Sequence, residues 1–114
     1  MITIYHNPRC SKSREGLELL KESGEEFKVR EYLKEPVTEE ELAALLEQLG
    51  MAPIELVRTE EKIWKENYKG KDLSDDELIR VMTEHPKLIQ RPIVVKDQTA
   101  VVGRPASKIT ELLG

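Results

Sequence analysis

The side chain with the greatest chemical reactivity in this sequence is that of its single cysteine, Cys10. Cys10 lies between a short run of apolar residues and a predicted helix, so the unpaired N–H groups at the start of that helix should point at the sulfur. Three cations flank it, namely Arg9, Lys12 and Arg14. Helix N-termini and nearby cations both lower the pKa of a thiol. We therefore predict that Cys10 is an activated thiolate.

Ser13 stands three residues after Cys10, in the place of the second cysteine of a Cys-x-x-Cys redox pair. We expect its hydroxyl to donate to the sulfur across the first helical turn. The alternative is that Cys10 is a small buried apolar residue, as many free cysteines are, but the polar neighbours Arg9 and Ser11 disfavour this. A single cysteine cannot form an internal disulfide, and we predict no metal site.

Two Arg-Pro pairs form a second group of candidate residues, Arg91-Pro92 at the start of a predicted strand and Arg104-Pro105 at the start of the last predicted helix. Proline fixes its own backbone and restricts the residue before it, so each guanidinium leaves the chain from a restrained turn. A surface arginine near a turn is usually only solvated, so each pair alone is weak support for a site.

The distribution of charge indicates an anion site built from both ends of the chain, with chance clustering as the alternative. Residues 1–14 hold three cations and no acid, and residues 86–108 hold five cations and one acid, whereas residues 38–85 hold thirteen acids and six cations. The net charge of −4 argues against a nucleic-acid-binding surface.

The elements that must position these residues follow from the apolar spacing. The alternation from Ile2 to Tyr5 predicts a strand, which is followed by a helix ending at Ser23-Gly24 and a second strand at about Phe27–Arg30. A strand, a helix and a strand in this order indicate a parallel pair. The apolar stripe of the helix consists of Leu17 and Leu20, with Leu19 beside them.

The middle of the chain is predicted to be helical and the end to be a hairpin with a final helix. Thr38 with Glu41 and Ser74 with Glu77 are capping boxes, and the first of these helices should close at Gly50. The remaining predicted elements are strands at Ile93–Val95 and Ala100–Val102 and a last helix that begins at Pro105 and buries Ile109, Leu112 and Leu113. The order βαβ, helical insert, ββα predicts one α/β domain, 1–114, with a small mixed sheet and an insert at about 33–85.

The composition is that of a soluble globular chain, with 39% hydrophobic and 35% charged residues in 114. The longest apolar run, Leu42–Leu46, is far shorter than the roughly 20 residues that a membrane span requires, and no secretory signal is present. We therefore expect a cytoplasmic protein that binds neither membranes nor nucleic acids.

Two blocks of the sequence resemble the glutaredoxin-linked arsenate reductases of the ArsC/Spx family: residues 4–14, IYHNPRCSKSR, and residues 85–95, HPKLIQRPIVV. The resemblance spans nearly the whole chain and implies a thioredoxin/glutaredoxin-like fold. It also implies Cys10 as the nucleophile and three arginines that bind and polarise the oxyanion, Arg58, Arg91 and Arg104. By the same resemblance His6 and Ser13 support the thiolate, and Pro92 is a cis-proline beside Cys10. Without the resemblance, His6 could equally be a satisfied histidine at a strand end.

The activity implied by the resemblance is reduction of arsenate to arsenite through a Cys10-arsenate adduct. Because the chain has one cysteine, the reducing thiol must come from outside, and the family implies glutathione as co-substrate, glutaredoxin as partner and no bound cofactor. We expect a monomer. Two alternatives are a regulator of the Spx type, which binds RNA polymerase through a fold with a Cys-x-x-Cys switch that Ser13 removes here, and a reductase of the same mechanism for another oxyanion or a disulfide.

Overall fold

A computed structural model describes all residues from Met1 to Gly114 and divides the chain into two compact units. The sheet unit comprises Met1–Glu35 and Arg91–Gly114, and the helical unit comprises Pro36–Gln90. The helical unit is thus inserted in the sequence between the two halves of the sheet unit; the predicted insert was about 33–85. That both units belong to one domain stays a prediction.

The sheet unit contains four strands in the order β2-β1-β3-β4. Strand β1 (Ile2–Tyr5) pairs in parallel with β2 (Phe27–Arg30) and antiparallel with β3 (Ile93–Lys96). Strand β4 (Thr99–Val102) forms the predicted hairpin with β3. The sheet is therefore mixed, and the α/β class with the order βαβ…ββα is confirmed.

The core of the sheet unit arises from the alternation of side chains along the strands. Successive residues of a strand face opposite sides of the sheet, so Ile2 and Ile4 of β1 are buried together. They pack with Val94 of β3, with Leu20 and with Ile109, and these last two residues come from the two helices of the unit.

Helix α1 (Ser11–Ser23) begins immediately after Cys10 and ends at Gly24, as predicted. Gly24 has a φ of 75°, a left-handed conformation that glycine adopts without steric cost. Of the predicted apolar stripe, Leu20 is fully buried and Leu17 packs against the core. The buried face also includes Ser13 and Gly16, which the apolar pattern did not reveal.

Helix α6 (Ser107–Leu113) begins two residues later than predicted. Pro105 was expected in its first turn, but it lies in the bend before the helix. The amides of Lys108 and Ile109 donate to the carbonyls of Pro105 and Ala106, three residues back. These bonds close a tighter turn than the bonds of an α-helix, which span four residues.

The helical unit contains α2 (Glu39–Leu49), α3 (Pro53–Leu56), α4 (Lys62–Asn67), α5 (Asp75–Glu84) and a 3₁₀ turn (Pro86–Leu88). Both predicted capping boxes are confirmed, with Thr38 before α2 and Ser74 before α5. Helix α5 packs against α2 and α3. No helix in the chain combines the length and the apolar character needed to cross a bilayer.

Candidate active site

Cys10 is the N-cap residue of α1, with an extended backbone before the first helical turn. Its amide donates to the carbonyl of Asn7 at 3.0 Å, and its carbonyl accepts from the amide of Arg14 at 3.0 Å. The residue is only 9% exposed. This burial is also expected if Cys10 is only an apolar packing residue. The groups around the sulfur therefore decide whether Cys10 is a packing residue or an activated thiolate.

The pKa of the Cys10 thiol is lowered from its ordinary value by the balance of opposing effects. Burial is the largest single influence and raises the pKa, because it disfavours the charged thiolate. Against it act the backbone N–H groups of Ser13 and Lys12 and the guanidinium of Arg91, which contributes both its charge and a hydrogen bond. Together these groups outweigh burial and favour the thiolate.

The cation that acts on Cys10 is therefore Arg91, and not one of the three cations that flank it in the sequence. Lys12 contributes its backbone amide, while its ammonium lies 3.7 Å from the carboxylate of Glu15. The guanidinium of Arg14 donates to the carbonyl of Pro8. Neighbours in the sequence were thus a poor guide to neighbours of the sulfur, since the side chains of Arg9, Lys12 and Arg14 are exposed.

Ser13 supports the sulfur through its amide, which corrects the prediction that its hydroxyl would do so. The Ser13 hydroxyl oxygen accepts from the amide of Asn7 at 2.9 Å and lies 2.8 Å from Nδ1 of His6. Ser13 is fully buried, and its hydroxyl fastens the loop before α1 to the first turn of the helix.

His6 follows β1 and is buried with 5% exposure. Its amide donates to the carbonyl of Arg30 at 2.8 Å, which extends the pairing of β1 with β2 by one bond. Burial lowers the pKa of His6 from its ordinary value of 6.5, and the opposing effect of Glu31 does not offset this. His6 is therefore a neutral imidazole at neutral pH, and its ring contacts the Ser13 hydroxyl.

Arg91 is the first residue of the chain after the helical unit, and its guanidinium favours the Cys10 thiolate by its charge and by a hydrogen bond. Two of its nitrogen atoms, Nε and Nη1, are buried without a hydrogen-bond partner. Leaving a buried charged donor unpaired is costly, so these N–H groups fit an anionic acceptor. The guanidinium that contacts the thiol can thus also bind an anion there.

Pro92 is fully buried, and the Arg91-Pro92 peptide bond is cis, as the resemblance implied. The Pro92 carbonyl accepts from the amide of Gly103 at 2.8 Å. A Cβ atom on Gly16 would lie 3.0 Å from the Pro92 ring, and one on Gly103 would lie 3.1 Å from it. The two glycines therefore let α1 and the turn after β4 approach Pro92 closely, which the sequence analysis missed.

Arg104 lies in the turn after β4, and its peptide bond to Pro105 is also cis. Its amide donates to the carbonyl of Val102 at 2.8 Å, while its side chain is exposed. It is not among the main influences on the pKa of Cys10.

Arg58 belongs to the helical unit and lies between α3 and α4. Its amide donates to the carbonyl of Leu88 at 2.7 Å, and Nη1 donates to the carbonyl of Lys87 at 3.1 Å. The side chain is 14% exposed and forms ion pairs with Glu60 and Glu61. These pairs were not predicted from the sequence, although the i,i+3 spacing of Arg58 and Glu61 was a signal for one of them.

The geometry agrees with the comparison against protein families, in which the model of the ArsC family matches residues 5–112. The chain belongs to the ArsC family. The family resemblance inferred from the two sequence blocks is therefore confirmed.

Relatives within the ArsC family are similar along their whole length. The uncharacterized protein YfgD of Escherichia coli is 48% identical, with 99% of this chain and 97% of that protein covered. An arsenate reductase of Haemophilus influenzae is 39% identical, with 98% of each covered. A solved structure of an arsenate reductase from Vibrio cholerae superposes with a TM-score of 0.91 at 46% identity, covering 96% of this chain and 95% of that one. These matches confirm the thioredoxin-like fold.

Proposed function

We propose that this chain is an arsenate reductase that works through Cys10. The thiolate attacks the arsenic atom of arsenate, an As–O bond breaks, and the leaving hydroxide departs as water after taking up a proton. An external thiol, glutathione, then attacks the Cys10 sulfur. The S–As bond breaks with its electron pair passing to arsenic, which leaves as arsenite, and glutaredoxin reduces the Cys10-glutathione disulfide that remains.

The observation that carries this proposal is the contact between Arg91 and Cys10 together with the unpaired buried donors of that guanidinium. A thiolate and an arsenate oxyanion repel each other, by about 4 kcal/mol for unit charges 4 Å apart at an effective dielectric constant of 20. A guanidinium that stabilises the thiolate and still has N–H groups to offer can bind the oxyanion and offset that repulsion. Arginine suits this role because its planar fork matches oxyanion geometry and its charge persists at all relevant pH values.

The other roles rest on membership of the ArsC family. Arg58 and Arg104 complete the set of three arginines that bind the oxyanion and stabilise charge on the leaving oxygen. His6 acts as a positioning residue through its 2.8 Å contact with the Ser13 hydroxyl, and Ser13 holds its amide toward the sulfur. Pro92 fixes the chain direction that presents Arg91.

The proposed reaction requires a reducing partner and a compartment that keeps thiols reduced. The reducing thiol is external, because the chain has no second cysteine to resolve the adduct, and membership of the ArsC family points to glutathione and glutaredoxin as the reducing partners. The protein acts as a monomer in the cytoplasm, where thiols are kept reduced. The relatives named arsenate reductase do not favour the alternative of a polymerase-binding regulator.

The test is steady-state reduction of arsenate with glutathione, glutaredoxin and a readout coupled to NADPH oxidation. Cys10→Ser should abolish turnover. Arg91→Lys and Arg104→Lys keep the charge but remove the planar fork, so kcat/KM should fall roughly tenfold to a hundredfold. The control is Arg80→Lys, at an exposed arginine that pairs with Glu39 in the helical unit.

Arsenate turnover that survives Cys10→Ser would show that the nucleophile is wrongly assigned. Because lysine preserves the charge, an unchanged kcat/KM in Arg91→Lys and Arg104→Lys would show that the arginines contribute only a diffuse positive field. An equal fall in Arg80→Lys would show that the effect is not specific to the site.

A further inference from the structure

We propose that Ile109 of α6 is a positioning residue of the active site, which keeps the Arg91 guanidinium at the Cys10 sulfur by packing against Pro92. The consequence for arsenate reduction rests on the proposed function, in which Arg91 binds the oxyanion. Ile109 is not a catalytic residue, because it acts only through the position of Arg91. All four residues belong to the sheet unit.

Ile109 is the only buried residue of α6, and it is fully inaccessible to solvent. Its side chain belongs to the core of the sheet unit, together with Ile2 of β1 and Val94 of β3. Helix α6 packs against α1, β3 and β4. A change in the Ile109 side chain therefore reaches the elements that surround Pro92.

The δ-methyl group of Ile109 lies near the Pro92 ring, where two glycines leave room for both. A Cβ atom on Gly16 would lie 3.0 Å from Ile109 Cδ1 and 3.0 Å from Pro92 Cγ. A Cβ atom on Gly103 would lie 2.6 Å from the same Cδ1 and 3.1 Å from the same Cγ. Each of these two points is close to both side chains, so the side chains are neighbours. Neither glycine has a positive φ, so what they provide is space.

Pro92 is held firmly, whereas the guanidinium of the preceding residue has few restraints of its own. The Pro92 ring is fully buried, and the Pro92 carbonyl accepts from the amide of Gly103 at 2.8 Å. The Nε and Nη1 atoms of Arg91 are buried without a hydrogen-bond partner. These two atoms therefore do not fix the guanidinium, and the packing of Pro92 restrains the start of the Arg91 side chain.

A small displacement of the Arg91 guanidinium is enough to weaken its effect on Cys10. The guanidinium lowers the pKa of the thiol through its charge and a hydrogen bond. Hydrogen bonds weaken steeply away from their preferred geometry, and the attraction between charges falls as their separation grows. The backbone amides of Ser13 and Lys12 also favour the thiolate, and they belong to α1. The part of the pKa shift that should respond to Ile109 is therefore the part that Arg91 contributes.

The test compares two substitutions that each remove one methyl group from the same core. Ile109→Val removes the δ-methyl group near Pro92. The matched control is Ile2→Val, at a buried residue whose partner Lys96 lies at the opposite end of β3 from Pro92. Both variants lose the same group, so a purely structural effect would be similar in the two. The measurements are the midpoint of Cys10 alkylation by iodoacetamide against pH, and kcat and KM for arsenate.

We expect Ile109→Val to raise the alkylation midpoint by about half a pH unit, because the thiolate loses part of the stabilisation from Arg91. The kcat/KM for arsenate should fall by about three- to tenfold, since a misplaced binding group reduces catalysis even when the mutation lies far from the chemistry. Ile2→Val should leave both values unchanged.

A second substitution should restore the lost contact. Gly103→Ala in the Ile109→Val chain places a methyl group 3.1 Å from Pro92 Cγ, next to the space that Ile109 Cδ1 has left. The remaining Cγ1 of residue 109, which is 2.9 Å from that methyl group, must shift slightly. In the unaltered chain Gly103→Ala crowds Cδ1 and should displace Pro92, so it should also raise the midpoint. The midpoint of the double variant should therefore lie below those of both single variants.

Equal midpoints for Ile109→Val and Ile2→Val would overturn this inference, and so would a double variant whose midpoint is not below those of both single variants. Neither outcome affects the proposed function if the unaltered chain reduces arsenate. Alkylation requires no arsenate. An unaltered chain without arsenate turnover would therefore remove the proposed function, while the alkylation midpoints would still decide the role of Ile109.

Discussion

The lowered pKa of Cys10 depends in part on a residue far away in the sequence. Burial works against the thiolate, and the amides at the start of α1 and the guanidinium of Arg91 together outweigh it. The pKa of the thiol is thus set by two parts of the chain that meet in the folded sheet unit. Its pKa therefore depends on Arg91 more than on the adjacent Arg9.

This dependence predicts the outcome of alkylation by iodoacetamide as a function of pH. The midpoint for the unaltered protein should lie below the value of about 8.5 found for free cysteine. Arg91→Met should raise the midpoint, because it removes a charge and a hydrogen bond from the thiolate. Arg9→Met, which removes a charge from the exposed residue next to Cys10, should leave it unchanged. Equal midpoints in both variants would contradict the assignment of Arg91.

The candidate nucleophile, the start of α1 and the two Arg-Pro pairs could be predicted from the sequence because each is a local pattern. It could not choose among the cations, since the choice depends on which side chain the fold brings to the sulfur. The same limit explains Ser13, whose hydroxyl was expected at the sulfur and is instead held by Asn7 and His6.

The backbone of two neighbouring elements, helix α1 and the turn after β4, lies close to the Pro92 ring. Helix α1 contributes Gly16, the turn after β4 contributes Gly103, and the side chain of Ile109 from α6 packs against both positions. A methyl group on Gly103 would lie 2.6 Å from Cδ1 of Ile109, which is well inside van der Waals contact. The position of the Arg91-Pro92 segment thus depends on the absence of side chains at these two glycines.

Gly103→Ala should therefore destabilise the protein, by about 1–3 kcal/mol, which is typical of overpacking a core. The measurement is the free energy of unfolding in urea. Ile109→Val removes the methyl group that would clash, so in the double variant the cost of Gly103→Ala should be smaller than in the unaltered background. Additive effects of the two substitutions would show that the clash is relieved elsewhere.

The elements themselves were largely predictable, because the strands alternate and the capping boxes mark helix starts. The segment around Arg58 was not, since α3 and α4 are too short to show a helical period. The start of α6 was placed too early because Pro105 is also compatible with a first helical turn.

For the whole molecule, the uneven charge of the sequence coincides with the two units. The sheet unit holds eleven cations and nine acids, a formal charge of +2, and the helical unit holds seven cations and thirteen acids, a formal charge of −6. The net positive unit is the one that holds Cys10, Arg91 and Arg104. Although the total charge is −4, the sheet unit is positive and therefore suited to an anionic substrate.

The stability of the molecule should depend on pH through His6 and Cys10, whose pKa values are both lowered in the folded state. Between the folded and the unfolded pKa the unfolded chain binds more protons, so the free energy of unfolding rises with pH in that window. For His6 the window lies below 6.5, and for Cys10 it lies below the ordinary value for a thiol. Each unit of difference between the two pKa values contributes about 1.4 kcal/mol.

Urea unfolding across a pH series measures this rise. His6→Gln should flatten the part of the curve just below pH 6.5, whereas the rise below about pH 4.5, to which Glu77 contributes, should persist. Cys10→Ser should flatten the part below the ordinary pKa of a thiol. A curve for Cys10→Ser that is parallel to that of the unaltered chain would contradict the lowered pKa of the thiol.

The presence of a single cysteine has a practical consequence for following the reaction. Because every covalent step passes through one sulfur, each stage of the proposed cycle gives the intact chain a distinct mass: free thiol, arsenic adduct or glutathione disulfide. A time series of intact-mass spectra therefore records the population of each intermediate directly, without peptide mapping. The order in which the three masses rise and fall is itself the order of the chemical steps.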